Sequence, residues 1–330
     1  MRILLVGPYP PRRCGIGAYV AAQTKRLREE GHDVVVLSPP DGDGDVRRQF
    51  IGGSAFRLVA KIGGRFDRIV LHFEPGLYFR PRTPVLHVIT AASLLSLVVR
   101  RPSVEILVHE ALAPPSRLRP DYRLLGLAFA RARLLFHTEA ERRVLEQEYR
   151  IRTSATLVPH ADSVTVHATL RRDEARAHLD LGPERPVFVC AGFLHADKGF
   201  DRAVRAFATA GSPGRLYVVG SVRAPTSDTR RHVDELRTLC DRTDRVTMVE
   251  RYVSDAEFDE WITAADTALF PYRRAWSSGA LARAQRLGTP AFVADVGGLA
   301  EQAGPNDVVF ESEEALARLL ARPVAPAATP

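Results

Sequence analysis

The sequence predicts an α/β protein made of two doubly wound domains, each with a parallel sheet. Short apolar segments alternate with helix-like segments, and the same rhythm restarts at Val187 after a polar stretch over residues 162–185. The length of 330 residues also suits two domains better than one. We expect a first domain over 1–165, a second over 166–322 and a disordered Pro- and Ala-rich tail over 323–330. Two such domains facing each other would leave a central cleft for ligands.

Each predicted element rests on a buried apolar run or on an amphipathic period. Gly31 and Gly288 end two of the helices. The predicted helices cover residues 16–30, 203–210, 256–265 and 280–287. The predicted strands cover residues 3–6, 34–37, 69–73, 106–108, 134–137 and 156–158, and then 187–191, 216–219, 246–249, 268–270 and 291–294.

Composition narrows the class of protein. Hydrophobic residues make up 45% and charged residues 26%, and 46 Lys and Arg against 39 Asp and Glu give a net charge of +7. The basic residues are mostly arginines spread along the chain, which argues against a nucleic-acid partner. Three scattered cysteines suit a reduced compartment, and the N-terminus reads as a strand rather than a signal peptide. We expect a cytoplasmic protein; peripheral contact with the inner face of the membrane stays open.

The segment CAGFLHADKG, residues 190–199, predicts an anion site. Its apolar strand ends at Gly192, and a polar loop places Lys198 just before a helix. Helix N-termini attract anions through their free N–H groups, and an ammonium adds a compact positive charge. We therefore expect a phosphate group beside Lys198.

A second helix start, at residues 277–279, offers the same chemistry. The two serines and the glycine follow an apolar strand, and Arg273, Arg274 and Arg283 lie nearby in sequence. Serines here are good N-caps, so simple capping competes with phosphate binding as the interpretation. Residues 295–301 follow the next strand and would reach the same sheet edge.

The loop from Gly7 to Gly17 joins the first strand to the first helix. Gly15 and Gly17 open that helix without side chains, which lets a ligand approach the backbone. The loop fails the dinucleotide fingerprint because it is too long and has Val20 at the third glycine position. An NAD-dependent oxidoreductase is therefore disfavoured, and a merely flexible connection stays an alternative.

Three histidines follow apolar strands. His72, His109 and His137 should all reach the carboxyl edge of the first sheet, where either a structural or a catalytic role is open. A zinc site formed by them is disfavoured because no paired spacing such as HExxH is present. The acidic run at residues 41–45 lacks the Gly and Glu of a calcium loop and is read as a solvated loop.

These motifs together resemble the GT-B-fold retaining glycosyltransferases of glycosyltransferase family 4 (group 1). The resemblance covers most of the chain. It rests on the Gly15–Gly17 loop and His109, and on motifs at residues 71–78, 158–162, 191–199, 217–220 and 277–301.

The resemblance implies a donor and an acceptor domain and a role for each candidate residue. Residues 1–165 would bind the acceptor, and 166–322 the nucleotide-diphosphate sugar. His109 would lie beside the transferred hexose, and Lys198 would neutralise the diphosphate; we predict both as catalytic. The predicted donor-binding residues are Gly15, Gly17, Gly192, Lys198, Ser277, Ser278, Gly279, Arg283 and Glu301. No metal and no cofactor is implied, because cations and helix ends stabilise the leaving phosphate.

The sequence departs from the family pattern at three positions. Phe193 replaces a usual arginine, and Ala275 and Arg283 stand where glutamates contact the donor. An arginine cannot accept hydrogen bonds from ribose hydroxyls. A non-catalytic nucleotide-sugar-binding protein or a partner subunit of a transferase therefore stays as the alternative.

The acceptor is left open between a sugar, a lipid-linked glycan and a small molecule. The loops at residues 75–84 and 111–119 are the candidate acceptor loops. Their arginines at positions 80, 82, 117 and 119 would favour an anionic group or would simply be solvated surface.

Overall fold

A computed structural model describes residues 1–79, 83–110, 119–160, 164–167, 170–223 and 226–322 of the chain. By its internal contacts the chain divides into two compact units, Met1–Val164 and Thr165–Pro330. The predicted tail, 323–330, lies outside the described residues. None of the described helices combines the length and the apolar character needed to cross a bilayer.

The first unit contains a parallel seven-stranded sheet in the order β3-β2-β1-β4-β5-β6-β7. The central strand β1 is shielded on both faces, since Ile3 through Val6 are fully buried. The strands are β1 (Arg2–Val6), β2 (Asp33–Ser38), β3 (Val46–Arg47), β4 (Arg68–Phe73), β5 (Glu105–Val108), β6 (Arg133–Phe136) and β7 (Ala155–Leu157).

Helices connect these strands. The Thr138 hydroxyl caps α6 by accepting the N–H of Glu141 at 3.2 Å, as expected of a threonine after a strand. In the described part of this unit the α-helices are α1 (Gly15–Glu29), α2 (Ser54–Ile62), α3 (Pro75–Tyr78), α4 (Pro84–Arg100), α5 (Pro120–Phe129) and α6 (Glu139–Tyr149).

The second unit repeats the arrangement with six parallel strands in the order β10-β9-β8-β11-β12-β13. Its strands are β8 (Val187–Ala191), β9 (Arg215–Gly220), β10 (Val246–Glu250), β11 (Thr267–Phe270), β12 (Ala291–Ala294) and β13 (Val308–Phe310). Its described α-helices are α7 (Arg172–His178), α8 (Phe200–Ala210), α9 (Ser227–Asp241), α10 (Asp255–Ala264), α11 (Gly279–Arg286), α12 (Leu299–Gln302) and α13 (Glu313–Leu320).

The predicted fold class of two doubly wound Rossmann-like domains is confirmed. All eleven predicted strands are present, and the structure adds β3 and β13 at sheet edges. In each sheet the strand order reverses once, between β1 and β4 and between β8 and β11. Ligands of doubly wound sheets bind at the carboxyl ends of the strands at such a switch point.

Candidate functional site

The switch point of the second unit lies between the parallel strands β8 and β11, which pair through Phe188 and Thr267. The loop after β8 carries Lys198, and the loop after β11 leads into α11. Gly192 follows β8 directly, and its N–H donates to the Val219 carbonyl at 3.0 Å. Both loops therefore emerge at the sheet edge where a ligand is expected.

Lys198 ends a single 3-10 turn, Ala196–Lys198, and its ammonium lies over an aromatic ring. The Lys198 Nζ is 3.9 Å from the centroid of the Tyr272 ring. The Tyr272 hydroxyl is in turn 3.4 Å from the Ser278 Oγ. Tyr272 therefore contacts residues of both loops. Its side chain is completely buried, which restricts its motion.

Gly199 allows the two loops to touch. Its φ is +61°, and a Cβ there would lie 2.1 Å from the Pro271 carbonyl oxygen. The Arg273 N–H also donates to the Asp197 carbonyl at 2.8 Å. A glycine is required after Lys198 because any side chain would push the loops apart.

Two arginines of the loop after β11 are each paired with a carboxylate. Arg273 makes a bidentate pair with Asp201 at 2.7 and 2.6 Å. Arg274 donates to the Asp197 carboxylate at 2.8 Å. Burial alone would raise the pKa of Asp201, but the hydrogen bonds and charges of Arg273 and Arg205 lower it to about 2.

Arg283, which the sequence predicts to bind the donor, forms ion pairs with two carboxylates of α10. Its Nε donates to the Asp259 carboxylate at 2.7 Å, and its Nη1 donates to Asp255 at 2.8 Å. The guanidinium carbon also lies 4.5 Å from the centroid of the Phe258 ring. Asp259 is fully buried, so this cation balances an interior carboxylate.

Lys198 differs from these arginines. Among the described residues no carboxylate lies within salt-bridge distance of its Nζ, and its contact is the neutral Tyr272 ring. The positive charge of Lys198 is therefore uncompensated within the described part of this unit.

Ser278 caps α11, as the capping interpretation predicted. Its Oγ accepts the Leu281 N–H at 3.2 Å. Its own backbone is held by Gln302, whose amide accepts the Ser278 N–H and donates to the Ser278 carbonyl, both at 2.7 Å. Ser277 and Gly279, on either side, are half-buried.

Glu301 is exposed on α12, next to Gln302. The hydrogen bonds between Gln302 and the Ser278 backbone attach the segment after β12 to the start of α11. The loops after β8, β11 and β12, together with the first turns of the helices that follow them, thus hold five of the predicted residues: Lys198, Ser277, Ser278, Gly279 and Glu301.

In the first unit, Gly15 and Gly17 begin α1, the helix after β1. The Cys14 Sγ caps this helix by accepting the Gly17 N–H at 3.4 Å. Gly15 is exposed, and a Cβ there would meet no atom within 4 Å. The fold itself does not require glycine at position 15, whereas close approach by a ligand would favour it.

The strand-end histidines do come together, around Tyr19 of α1. The centroid of the Tyr19 ring lies 5.7 Å from that of His72, 5.4 Å from His109, 5.3 Å from His137 and 5.2 Å from His160. Four parallel strands therefore each deliver one imidazole to this cluster.

Hydrogen bonds order this cluster. The His72 Nδ1 lies 3.0 Å from the His109 Nε2, and the His72 Nε2 lies 3.0 Å from the Gln23 Oε1. Burial lowers the pKa of His72 to about 3, with a contribution from His137. Burial, followed by the neighbouring histidines, also lowers the pKa of His109 well below its usual value. The two rings are therefore neutral at pH 7.

His137 donates from its Nδ1 to the Val158 carbonyl at 2.9 Å. Its buried Nε2 has no hydrogen-bond partner in the described residues. Burial lowers the pKa of this ring as well. The adjacent Glu141 is fully buried and accepts the His137 backbone N–H at 3.1 Å; burial raises the pKa of this carboxyl to about 8.

Among the described residues, no group of three or more His, Cys, Asp or Glu side chains has metal-binding geometry. Each carboxylate of the acidic run at residues 41–45 has a separate partner. Asp41 pairs with Arg12 at 2.8 Å, Asp43 pairs with Arg47 at 2.6 Å, and Asp45 accepts the Val36 N–H at 2.8 Å.

The predicted acceptor loops are described only in part, and Arg80, Arg82 and Arg117 lie outside the described residues. Arg119 is described. It donates to the Asp121 carboxylate at 2.7 and 3.1 Å, and its Nη2 lies 3.1 Å from the His87 Nδ1. In this structure Arg119 is therefore a paired cation.

Sequence reasoning missed five members of these sites: Tyr19, Gln23, His160, Tyr272 and Gln302. Tyr19 and Gln23 lie four residues apart on α1, so they share one helix face, and that spacing was a usable signal. Tyr272 sits two residues after β11, at the sheet edge. Gln302 gave no such signal, since its role depends on the fold of the loop after β12.

Known proteins resemble this chain in the sequence of its second half and in its fold. Residues 185–324, less than half of the chain, match the family model described as glycosyl transferases group 1. No characterised protein matches significantly by sequence. The matched segment is similar to this family and contains Lys198 and residues 277–301.

Solved structures match over the whole chain. HepE from Anabaena, solved in complex with UDP, has a TM-score of 0.73 at 17% identity and covers 97% of this chain and 89% of its own. Sucrose-phosphate synthase from Thermosynechococcus elongatus has a TM-score of 0.69 at 17% identity, with 96% and 88% covered. The UDP-forming α,α-trehalose-phosphate synthase from Burkholderia xenovorans has a TM-score of 0.67 at 14% identity, with 100% and 91% covered. The fold is the GT-B fold of these structures.

Proposed function

We propose that the protein is a retaining glycosyltransferase that moves a hexose from a nucleotide-diphosphate sugar to an acceptor hydroxyl without a metal ion. The observation that carries this proposal is the uncompensated charge of Lys198 beside the start of α11. The match of residues 185–324 to group 1 glycosyl transferases supports it. Related folds have been solved with UDP and with UDP-glucose, which makes a UDP-sugar the first donor to test.

In this proposal, the diphosphate lies beside the Lys198 ammonium, where no carboxylate of the described residues is found. Lys198 neutralises the leaving phosphate, while the hydroxyls of Ser277 and Ser278 and the backbone N–H of Gly279 donate hydrogen bonds to it. The bond between the anomeric carbon and the diphosphate oxygen breaks, and the acceptor oxygen bonds to the same face of that carbon. The acceptor proton passes to the departing phosphate oxygen. The same charge stabilisation makes a metal ion unnecessary.

The first unit supplies the surroundings of the transferred sugar in this proposal. His109 is neutral and half-buried, and a neutral imidazole accepts a hydrogen bond from a sugar hydroxyl. Gly15 leaves the start of α1 open to the donor or acceptor. Arg283 is not assigned a nucleotide contact, because its guanidinium is held by Asp255 and Asp259.

The test is Lys198→Ala, assayed with UDP-glucose and a panel of other nucleotide sugars by mass spectrometry of the products. Turnover should fall by about 10²–10³-fold, the usual effect of losing one preorganised charge-stabilising group. Lys25→Ala is the matched control, because Lys25 is a surface lysine whose side chain is 65% exposed. It should keep the wild-type rate.

Two results would count against the proposal. Near-wild-type turnover by Lys198→Ala would remove Lys198 from the reaction. Binding of a nucleotide sugar by the wild-type protein, without transfer or hydrolysis, would favour the non-catalytic alternative.

A further inference from the structure

A chain of three side chains connects α1 to the sheet edge of the first unit. Gln23 is 6% exposed and His72 is fully buried, so solvent does not compete for their polar atoms. The Gln23 Oε1 lies 3.0 Å from the His72 Nε2, and the His72 Nδ1 lies 3.0 Å from the His109 Nε2. The planes of the His72 and His109 rings are nearly parallel, 15° apart, with centroids 5.2 Å apart.

The order of donors along this chain fixes where the protons are. An amide oxygen only accepts, so the His72 Nε2 must carry the proton. A neutral imidazole has one protonated and one bare nitrogen, so the His72 Nδ1 is an acceptor. The His109 Nε2 then carries the proton that it donates to His72. The remaining nitrogen of His109, Nδ1, is left bare.

We propose that Gln23 and His72 are positioning residues that hold His109 in the tautomer with a bare Nδ1. This inference rests on the proposed function, in which His109 contacts the transferred sugar. A bare Nδ1 accepts a hydrogen bond from a sugar hydroxyl, whereas a protonated Nδ1 would donate one to a phosphate or carbonyl oxygen. The hydrogen bonds from Gln23 through His72 therefore favour a hydroxyl group as the hydrogen-bond donor to His109.

Packing supports this assignment. Tyr19 contacts both rings edge-on, at 63° to His72 and 78° to His109, which restricts their rotation. A Cβ at Gly7 would lie 3.1 Å from the His72 Cβ, so the backbone of the loop after β1 closes tightly on His72. Ring orientation is thus fixed by shape, and the tautomer is fixed by the Gln23 oxygen.

The experiment is ¹⁵N NMR of the ring nitrogens of His109 and His72 at pH 7.5, in the full-length protein and in Gln23→Leu. Protonated and bare nitrogens have well-separated shifts. The wild-type protein should show a bare Nδ1 on His109. In Gln23→Leu, His72 is free to place its proton on Nδ1 and to donate to His109, so the His109 proton should move to Nδ1.

Activity gives the second readout. With UDP-glucose or another active donor, kcat/KM of Gln23→Leu should fall by about 10-fold or more, the effect of losing one good hydrogen bond to the substrate. Thr24→Val is the matched control on α1; it removes a buried hydroxyl whose one hydrogen bond within the described residues is to the Val20 carbonyl, at 2.7 Å. It should leave the His109 spectrum and kcat/KM unchanged. If Gln23→Leu does not fold, Gln23→Met removes the same acceptor with a longer side chain.

A protonated Nδ1 on His109 in the wild-type protein would overturn the proposal. So would an unchanged His109 spectrum after removal of the Gln23 acceptor, or an inverted tautomer without loss of kcat/KM. A wild-type protein inactive with every donor would contradict the proposed function, while the spectra would still test the chain from Gln23 to His109.

Discussion

The Lys198 ammonium lies 3.9 Å from the centroid of the Tyr272 ring, and this contact joins two loops at the switch point of the second sheet. Such cation–π contacts stabilise by about 0.5–2 kcal/mol. We predict that Tyr272→Leu lowers kcat/KM by about 2- to 30-fold, because Lys198 loses the surface that restricts its rotation. Steady-state kinetics with the active donor, below the Tm of the variant, give this value.

Tyr272→Phe is the control for this prediction. It keeps the ring under Lys198 and removes only the hydroxyl that lies 3.4 Å from the Ser278 Oγ. We expect it to retain most of the activity. Equal losses in the Phe and Leu variants would show that the hydroxyl, and not the ring, supports the site.

The sequence was sufficient for the doubly wound architecture because buried parallel strands are continuous apolar runs, as in Val187–Ala191. It could not predict β3 and β13, which are edge strands of two and three residues without such a run. It placed Lys198 and Ser278 at helix starts correctly. It could not show that Arg283 pairs with Asp255 and Asp259, because those partners are 28 and 24 residues away and meet it only through packing of α10 on α11.

The pairing of Arg283 predicts a structural effect. Asp259 is fully buried, and its described partners include Arg283 and the His167 N–H. Removing one partner of a buried ion pair leaves an uncompensated charge and costs about 3–5 kcal/mol. We predict that Arg283→Met lowers the free energy of unfolding by this amount, measured by denaturant titration.

Replacing Arg283 by glutamate should lower the stability more than replacing it by methionine. Arg283→Glu would place a third carboxylate beside Asp255 and Asp259, and like charges at this distance repel. We expect a lower Tm than for Arg283→Met. A variant with a wild-type Tm and only a raised donor KM would instead assign Arg283 to the nucleotide.

The histidine cluster predicts acid sensitivity of the first unit. Burial lowers the pKa of His72 to about 3 and also lowers the pKa values of His109 and His137. Between pH 6.5 and 3 the unfolded chain binds more protons than the folded one, so the stabilisation present above pH 6.5 is lost as the pH falls. Hydrogen exchange of the β4, β5 and β6 amides should report this loss.

His137→Asn isolates one member of the cluster. The Asn amide can still donate to the Val158 carbonyl, which accepts from the His137 Nδ1 at 2.9 Å, but it takes up no proton. The slope of stability against pH should become shallower, by up to about 1.4 kcal/mol per pH unit for one proton. An unchanged slope would place the acid-sensitive group elsewhere.

Glu141 predicts a pH dependence of the opposite sign. Burial raises the pKa of this carboxyl to about 8, against an ordinary value of 4.5, so the folded protein keeps a proton that the unfolded chain releases. The stabilisation is complete below pH 4.5 and is lost as the pH rises through 8.

Glu141→Gln keeps an oxygen to accept the His137 N–H and carries no charge at any pH. Its Tm should therefore rise relative to the wild type between pH 6 and 9, by an amount equivalent to about 1.4 kcal/mol per pKa unit at most. A Tm difference that does not change over this range would mean that Glu141 is not protonated in the folded protein at pH 6.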